Sequence, residues 1–227
     1  MPFQDLPARL AEVGDRIEQA RVRGGHGQLV TIVAVTKTYG PDAPVAAWDA
    51  GVRDAGENKV QEALEKMSSV AVPIRWHLIG HLQRNKVKQL DGFHLVHSMD
   101  SARLADALGA AGVARGRPVD ALLQVNVSGE GTKGGYQPAD VAREAERLRH
   151  LPGLVVRGVM TMAPFDAAEG TLRSVFRGAA EGLERLREAG HPATELSMGM
   201  SGDYEVAVEE GATLVRLGTV LFGARAA

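Results

Sequence analysis

Between residue 29 and the C-terminus the sequence cycles eight times from a short apolar stretch, through a loop, into a helical pattern. The apolar stretches are Leu29–Thr36, Val52–Ala55, Arg75–Ile79, Phe93–His97, Asp120–Val127, Leu154–Met160, Thr194–Ser197 and Thr213–Leu217. Helical patterns follow over Asp42–Ala50, Lys59–Ser68, Arg84–Leu90, Ser101–Arg115, Pro138–His150, Ala168–Ala189 and Asp203–Glu210. A short segment follows Gly218-Thr219. Strands alternating with helices imply right-handed crossovers and a parallel sheet. Eight such units in 227 residues favour an α/β fold, a closed (β/α)8 TIM barrel, over an open doubly wound sheet.

Residues 3–23 precede any strand and carry Leu6, Leu10, Val13, Ile17 and Ala20 at three- and four-residue spacing. They read as an extra amphipathic helix ending at Gly24-Gly25, placed to cover the flank that the short C-terminal segment leaves thin. Asp42 is placed to cap its helix and Gly51 to end it. No linker or shift in composition marks a second domain. One domain over 1–227 is expected, with the leading helix in 1–25 and the barrel in 29–227.

The chain has no cysteine, which removes disulfides, thiol nucleophiles and cysteine-based metal centres. A net charge of −2 makes no electrostatic case for nucleic acid or an anionic membrane. The N-terminus has neither a basic region nor an apolar core of a signal peptide, and no apolar run reaches the ~18 residues of a membrane span. A cytoplasmic protein is expected.

In a barrel, residues just past the strands' carboxyl ends converge on one face. Here that face collects Lys37, Glu57-Asn58, His77 with His81, Ser98, the Gly129–Gly135 loop, Met160 with Met162, Ser197 to Ser201, and Arg216 to Thr219. Lys37 ends Leu29-Val-Thr-Ile-Val-Ala-Val-Thr36, a stretch that reads as a strand buried on both faces. Ser197-Met-Gly-Met-Ser-Gly202 and Gly218-Thr219 expose backbone N–H groups where barrels often bind phosphate, and Ser201 adds a hydroxyl. The bland alternative is that the glycines serve tight turns and Ser201 caps a helix. Arg216 alternates with Val215 and Leu217, which points it into the barrel mouth, where it needs an acceptor. Lys37 and Arg216 would repel each other unless an anion or a neutralised amine stands between them. A lysine amine, a phosphate cup and an inward arginine together fit pyridoxal phosphate.

Other patterns carry less. Gly129-Glu-Gly-Thr-Lys-Gly134 satisfies G-x-G-x-x-G formally, but it follows the fifth strand and Arg157 stands where a ribose-binding acid belongs. A dinucleotide-dependent oxidoreductase is the weakest reading. His77 and His81 lack a carboxylate partner at metal-site spacing and read as core or loop histidines. Arg84-Asn-Lys-Val-Lys88 reads as a solvated helix face.

Val33-Ala-Val-Thr-Lys37, Gly56-Glu-Asn58, Trp76-His-Leu-Ile-Gly-His-Leu-Gln83, His97-Ser-Met-Asp100, Gln124-Val-Asn-Val127, Leu196-Ser-Met-Gly-Met-Ser201, Val215-Arg-Leu-Gly-Thr219 and Phe222-Gly-Ala-Arg225 occur in that order. Together they resemble the YggS/PROSC family of pyridoxal phosphate homeostasis proteins. The resemblance implies a barrel like the N-terminal domain of alanine racemase, with pyridoxal 5′-phosphate held as an aldimine on Lys37. It also implies that Ser201, Gly218 and Thr219 hold the phosphate, Arg216 faces the pyridine nitrogen, and Asn58 lines the ring. The implied role is intracellular vitamin B6 and amino acid homeostasis, with little or no catalysis. Racemases of this type take a second base, a tyrosine, from another subunit's extra domain, and the sequence stops shortly after Arg225. A weak racemase or other aldimine-exchange enzyme is the alternative. Amino acids and apo forms of pyridoxal phosphate enzymes are the implied partners, and a monomer is expected.

Overall fold

The computed structural model describes residues 3–130 and 134–223. Eight parallel strands close into one barrel in chain order: β1 (Thr31–Val35), β2 (Asp54–Glu57), β3 (Arg75–Leu78), β4 (Phe93–Met99), β5 (Val119–Gln124), β6 (Leu154–Met160), β7 (Glu195–Ser197) and β8 (Leu214–Leu217). The closing pair is β1 with β8, in a register that sets Val33 against Arg216 and Ala34 against Leu217. The expected TIM barrel is therefore present.

The helices are α1 (Leu6–Gly24), α2 (Asp42–Asp49), α3 (Val60–Ser69), α4 (Ala102–Ala114), α5 (Val141–Arg149), α6 (Glu169–Glu188), α7 (Tyr204–Glu209) and α8 (Thr219–Phe222). Arg84–Gln89 winds as a 3-10 helix, and another 3-10 turn at Pro138–Asp140 leads into α5. The leading helix α1 buries Leu6, Val13, Ile17 and Ala20 and packs on α7 and α8. It covers the flank where α8 is a single turn, as its spacing anticipates.

The strands differ from expectation mainly at their ends. Leu29 is solvent-exposed, because the ladder to β8 begins only at Thr31, whose N–H donates to Thr213 O at 2.7 Å. β2 lies two residues later than its apolar stretch suggests, over Asp54–Glu57, because its polar residues are bonded on both sides of the sheet. Asp42 does not cap α2; Pro41 occupies that position and Asp42 sits in the first turn. Gly51, at φ +104°, turns the chain after that helix.

Two cores follow from strand alternation. Outward residues such as Ala34, Ala55 and Val215 join the helices in one large apolar layer. Inward residues Val33, Leu95, Leu122, Met160 and Leu214 form a small plug inside the barrel, with Met162 packed against it. Beside it the interior also holds the buried polar groups Asp54, His77, His97, Ser197 and Arg216.

Candidate functional site

The plug fixes which way the site residues point. Val33 faces inward, so alternation along β1 directs Val35 to the same side, and the chain then leaves the strand through Thr36 into a turn that carries Lys37. On β8, Leu214 faces inward, and Arg216 and Gly218 follow on the same side. A Cβ on Gly218 would lie 3.6 Å from Val35 Cβ, so the loop after β8 rests against the strand that ends at Lys37. β2 runs beside β1 with Gly56 opposite Val35, and Asn58 follows the end of β2, packed against Gly80 after β3. Half-buried Lys37 and Asn58 make no side-chain hydrogen bond or ion pair among the described residues.

Gly199, at φ +91°, brings the β7–α7 loop close to its helix: a Cβ there would meet Ala207 Cβ at 2.7 Å and Tyr204 Cα at 2.9 Å. This turn delivers Ser201 to the loop after β8. The Ser201 hydroxyl oxygen accepts from Gly218 N–H and Val220 N–H, each at 3.3 Å. Ser201 thus ties the two loops together rather than capping α7, whose N-terminal position belongs to Asp203. Thr219 is exposed, and its N–H and hydroxyl have no partner among the described residues.

Arg216 is buried, with one terminal nitrogen donating to Ser197 Oγ at 2.7 Å and the other to Thr161 O at 3.0 Å. Burial pushes its guanidinium down to about 10, against the pull of Asp203, so it stays charged at neutral pH. From Ser197 a hydrogen-bonded chain crosses the barrel. Ser197 Oγ meets His97 Nδ1 at 2.9 Å, His97 Nε2 meets His77 Nδ1 at 2.9 Å, and His77 Nε2 meets Asp54 Oδ1 at 2.8 Å. Arg75 closes it on Asp54 Oδ2 at 2.6 Å. Burial holds His97 well below the ordinary histidine value, helped by His77 and Arg216, so its imidazole is neutral. One assignment uses every polar hydrogen: Arg216 donates to Ser197, Ser197 to His97, His97 to His77 and His77 to the Asp54 carboxylate. Burial pushes the Asp54 carboxyl up, but the hydrogen bonds from His77 and Arg75 outweigh it and hold the group below its ordinary value.

A second network lies outside the barrel wall, between β1, β2 and α3. Lys66 Nζ donates to Thr36 O at 2.7 Å, Glu57 Oε1 at 2.7 Å and Glu62 Oε1 at 2.9 Å. Thr36 Oγ1 adds a bond to Glu57 Oε1 at 2.6 Å, and Thr38 N–H donates to Glu62 Oε1 at 2.5 Å. Burial pushes the Glu57 carboxyl up despite Lys66 and Thr36, and its Oε2 has no hydrogen-bond partner among the described residues.

Of the residues expected from sequence, Lys37, Asn58, Ser201, Arg216, Gly218 and Thr219 all stand at the carboxyl ends of β1, β2, β7 and β8. His77 and His81 part: His77 joins the interior chain, and His81 Nδ1 meets Asp100 Oδ2 at 3.1 Å outside it. The ends of the Gly129–Gly135 loop are tied back to the end of β5, by Gln124 Nε2 to Gly134 O and Asn126 Nδ2 to Glu130 O. Residues 131–133, at the centre of the G-x-G-x-x-G match, lie outside the described residues, as do Ala224 and Arg225. Sequence reasoning missed the roles of Asp54, Glu57, Glu62, Lys66 and His97. Glu62 and Lys66 at i,i+4 on a helix were a legible signal; the rest join across elements.

Fold and site define an α/β barrel protein with a lysine after the first strand that has no partner among the described residues, and loops after the last two strands joined through Ser201. The family model for the alanine racemase N-terminal domain matches residues 10–226. A relative from Aquifex aeolicus named pyridoxal phosphate homeostasis protein is 41% identical over 221 residues, covering 96% of this chain and 97% of that protein. One of the same name from Pseudomonas aeruginosa is 42% identical over 223 residues, covering 97% and 96%. The solved structure of PipY from Synechococcus elongatus with PLP bound superposes at a TM-score of 0.84, with 34% identity over 96% of this chain and 100% of that one. Alanine racemase from Corynebacterium glutamicum, at 15% identity and a TM-score of 0.72 over 94% of this chain and 62% of that one, shares the fold. The chain belongs to the pyridoxal phosphate homeostasis protein family.

Proposed function

We propose that the protein binds pyridoxal 5′-phosphate and serves in balancing vitamin B6 and amino acid pools in the cytoplasm. The observation that carries this is Lys37: a half-buried amine with no side-chain hydrogen bond or ion pair among the described residues, at the same end of the barrel as the loops after β7 and β8. When bound, the cofactor supplies an aldehyde with which an amine condenses, and Lys37 supplies that amine. Thr219 offers a free N–H and hydroxyl to the phosphate. Gly218 and Val220 offer N–H groups held only by long 3.3 Å bonds to Ser201, which a phosphate oxygen can outcompete. Asn58 lines the ring. Arg216 faces the ring nitrogen as a fixed cation, which leaves that nitrogen unprotonated and the ring a poor electron sink.

A weaker electron sink favours holding over turnover, with a weak racemase or other aldimine-exchange enzyme as the alternative, and the whole chain works as one monomeric cofactor-binding barrel domain. Apo forms of pyridoxal phosphate enzymes and free amino acids are the partners this reading implies. In the native protein, borohydride is expected to fix the cofactor on Lys37, located by mass mapping, and to abolish the visible absorbance. Lys37→Ala should show neither, and a variant that retains both overturns the reading. Solvent-deuterium exchange at the α-carbon of an added amino acid should not exceed that with free cofactor.

A further inference from the structure

Lys37 sits inside a strained turn that other side chains hold in shape. Tyr39 N–H donates to Thr36 O at 3.1 Å, closing a four-residue turn with Lys37 and Thr38 in the middle. Thr38 has φ +68° and Lys37 is not in the left-handed region, the pattern of a type II turn. That third position ordinarily takes glycine, and a β-branched residue there is a real outlier. Such a conformation persists only where its surroundings over-determine it.

The surroundings here are specific. Thr38 N–H, aimed outward by the turn, is taken by Glu62 Oε1, and Glu62 is held by Lys66 one helical turn on along α3. Lys66 spends its other hydrogens on Thr36 O and Glu57, gripping the chain on the other side of Lys37. All three ammonium donors are thereby used. The backbone is clamped at both neighbours of Lys37, while the Lys37 side chain is left free.

We propose that Glu62, locked by Lys66, is a positioning residue that forces Thr38 into the left-handed conformation and so aims the Lys37 amine into the barrel mouth. This rests on Lys37 being the cofactor lysine. Glu62 itself lies on α3, on the outer side of the wall, and reaches the turn through Thr38 N–H.

Glycine takes the same conformation without help, so Thr38→Gly should make the turn independent of Glu62. Glu62→Ala is expected to weaken pyridoxal phosphate binding about tenfold, a loss of the order that strain release implies. In the cofactor-free protein it should also speed exchange of the Thr38 amide hydrogen at least about tenfold. Glu62→Ala combined with Thr38→Gly should restore binding to within about threefold of native. If Glu62→Ala folds poorly, the double variant carries the test: recovered fold and binding support the clamp. Unchanged binding and unchanged amide exchange in Glu62→Ala overturn it, as does a double variant that binds no better than Glu62→Ala. A native protein with no adduct on Lys37 overturns the functional reading instead, and the amide exchange then judges the clamp alone.

Discussion

Arg216 shows how much one buried side chain demands. Removing a guanidinium from water is costly unless its hydrogens find acceptors, and here Ser197 Oγ and Thr161 O supply two. Ser197 also hands its own hydrogen to His97, so its loss would strand a donor on one side and an acceptor on the other. Ser197→Ala is therefore expected to cost about 1–3 kcal/mol in urea unfolding, more than a hydroxyl lost from the surface. Lys37 and Arg216 were both legible as strand-end residues from their position, and alternation along β8 points Arg216. His97 was not. Its partner Ser197 is 100 residues away, and its neighbour His77 is 20 away, distances that only barrel closure removes.

At the scale of elements, α1 is the addition that the eight-unit repeat does not require. Its carboxyl end runs into α7 so closely that a Cβ on Gly24 would stand 2.5 Å from Glu209 O and 2.8 Å from Glu209 Cα. Gly24→Ala should push the two helices apart and lower stability by about 1–3 kcal/mol, read as a lower unfolding temperature with cofactor-free protein. The helix itself was legible in the spacing of Leu6, Val13, Ile17 and Ala20; that α7 receives it was not. β2 is the reverse case. Its residues, Asp54 to Glu57, are too polar to read as strand, and they form one because Asp54 is satisfied by His77 and Arg75 inside and Glu57 by Thr36 and Lys66 outside. The pattern fails where polar groups replace apolar ones in a fully buried strand.

For the whole molecule, hydrogen-bonded carboxylates and the buried His97 decide the response to acid. Burial works against ionisation of Asp54, Glu62, Glu209 and Glu210, yet all four are held below their ordinary values by hydrogen bonds. These come from His77 and Arg75, from Lys66 and Thr38 N–H, from Arg173 and Arg23, and from Arg177 and Arg173 respectively. A carboxyl lowered on folding stabilises above its unfolded value, and that stability is lost as pH falls through the folded one. Glu57 and Asp203 are raised by burial and carry the opposite sign: what they contribute is present in acid and is lost as pH rises through their folded values. His97 is lowered too, so the urea midpoint should begin to fall below 6.5, the ordinary histidine value, and fall further below 4.5 and 3.8, where five lowered carboxyls, Glu18 beside Arg21 included, stand against two raised. A midpoint that rises on acidification would contradict the pairing seen around these groups.

By itself the sequence determined the eight-unit barrel, the leading helix and the six strand-end residues. Hydrophobic periodicity and position along a strand are local properties of the chain. Only the tertiary structure decided which side chains pair across the wall and through the interior. The Lys66–Thr36 bond, the chain from Arg216 to Asp54 and the tie from Ser201 to the loop after β8 each join residues from different units. Their geometry exists only once β1 meets β8, because closure is what removes these groups from water and leaves each one only its neighbours to bond.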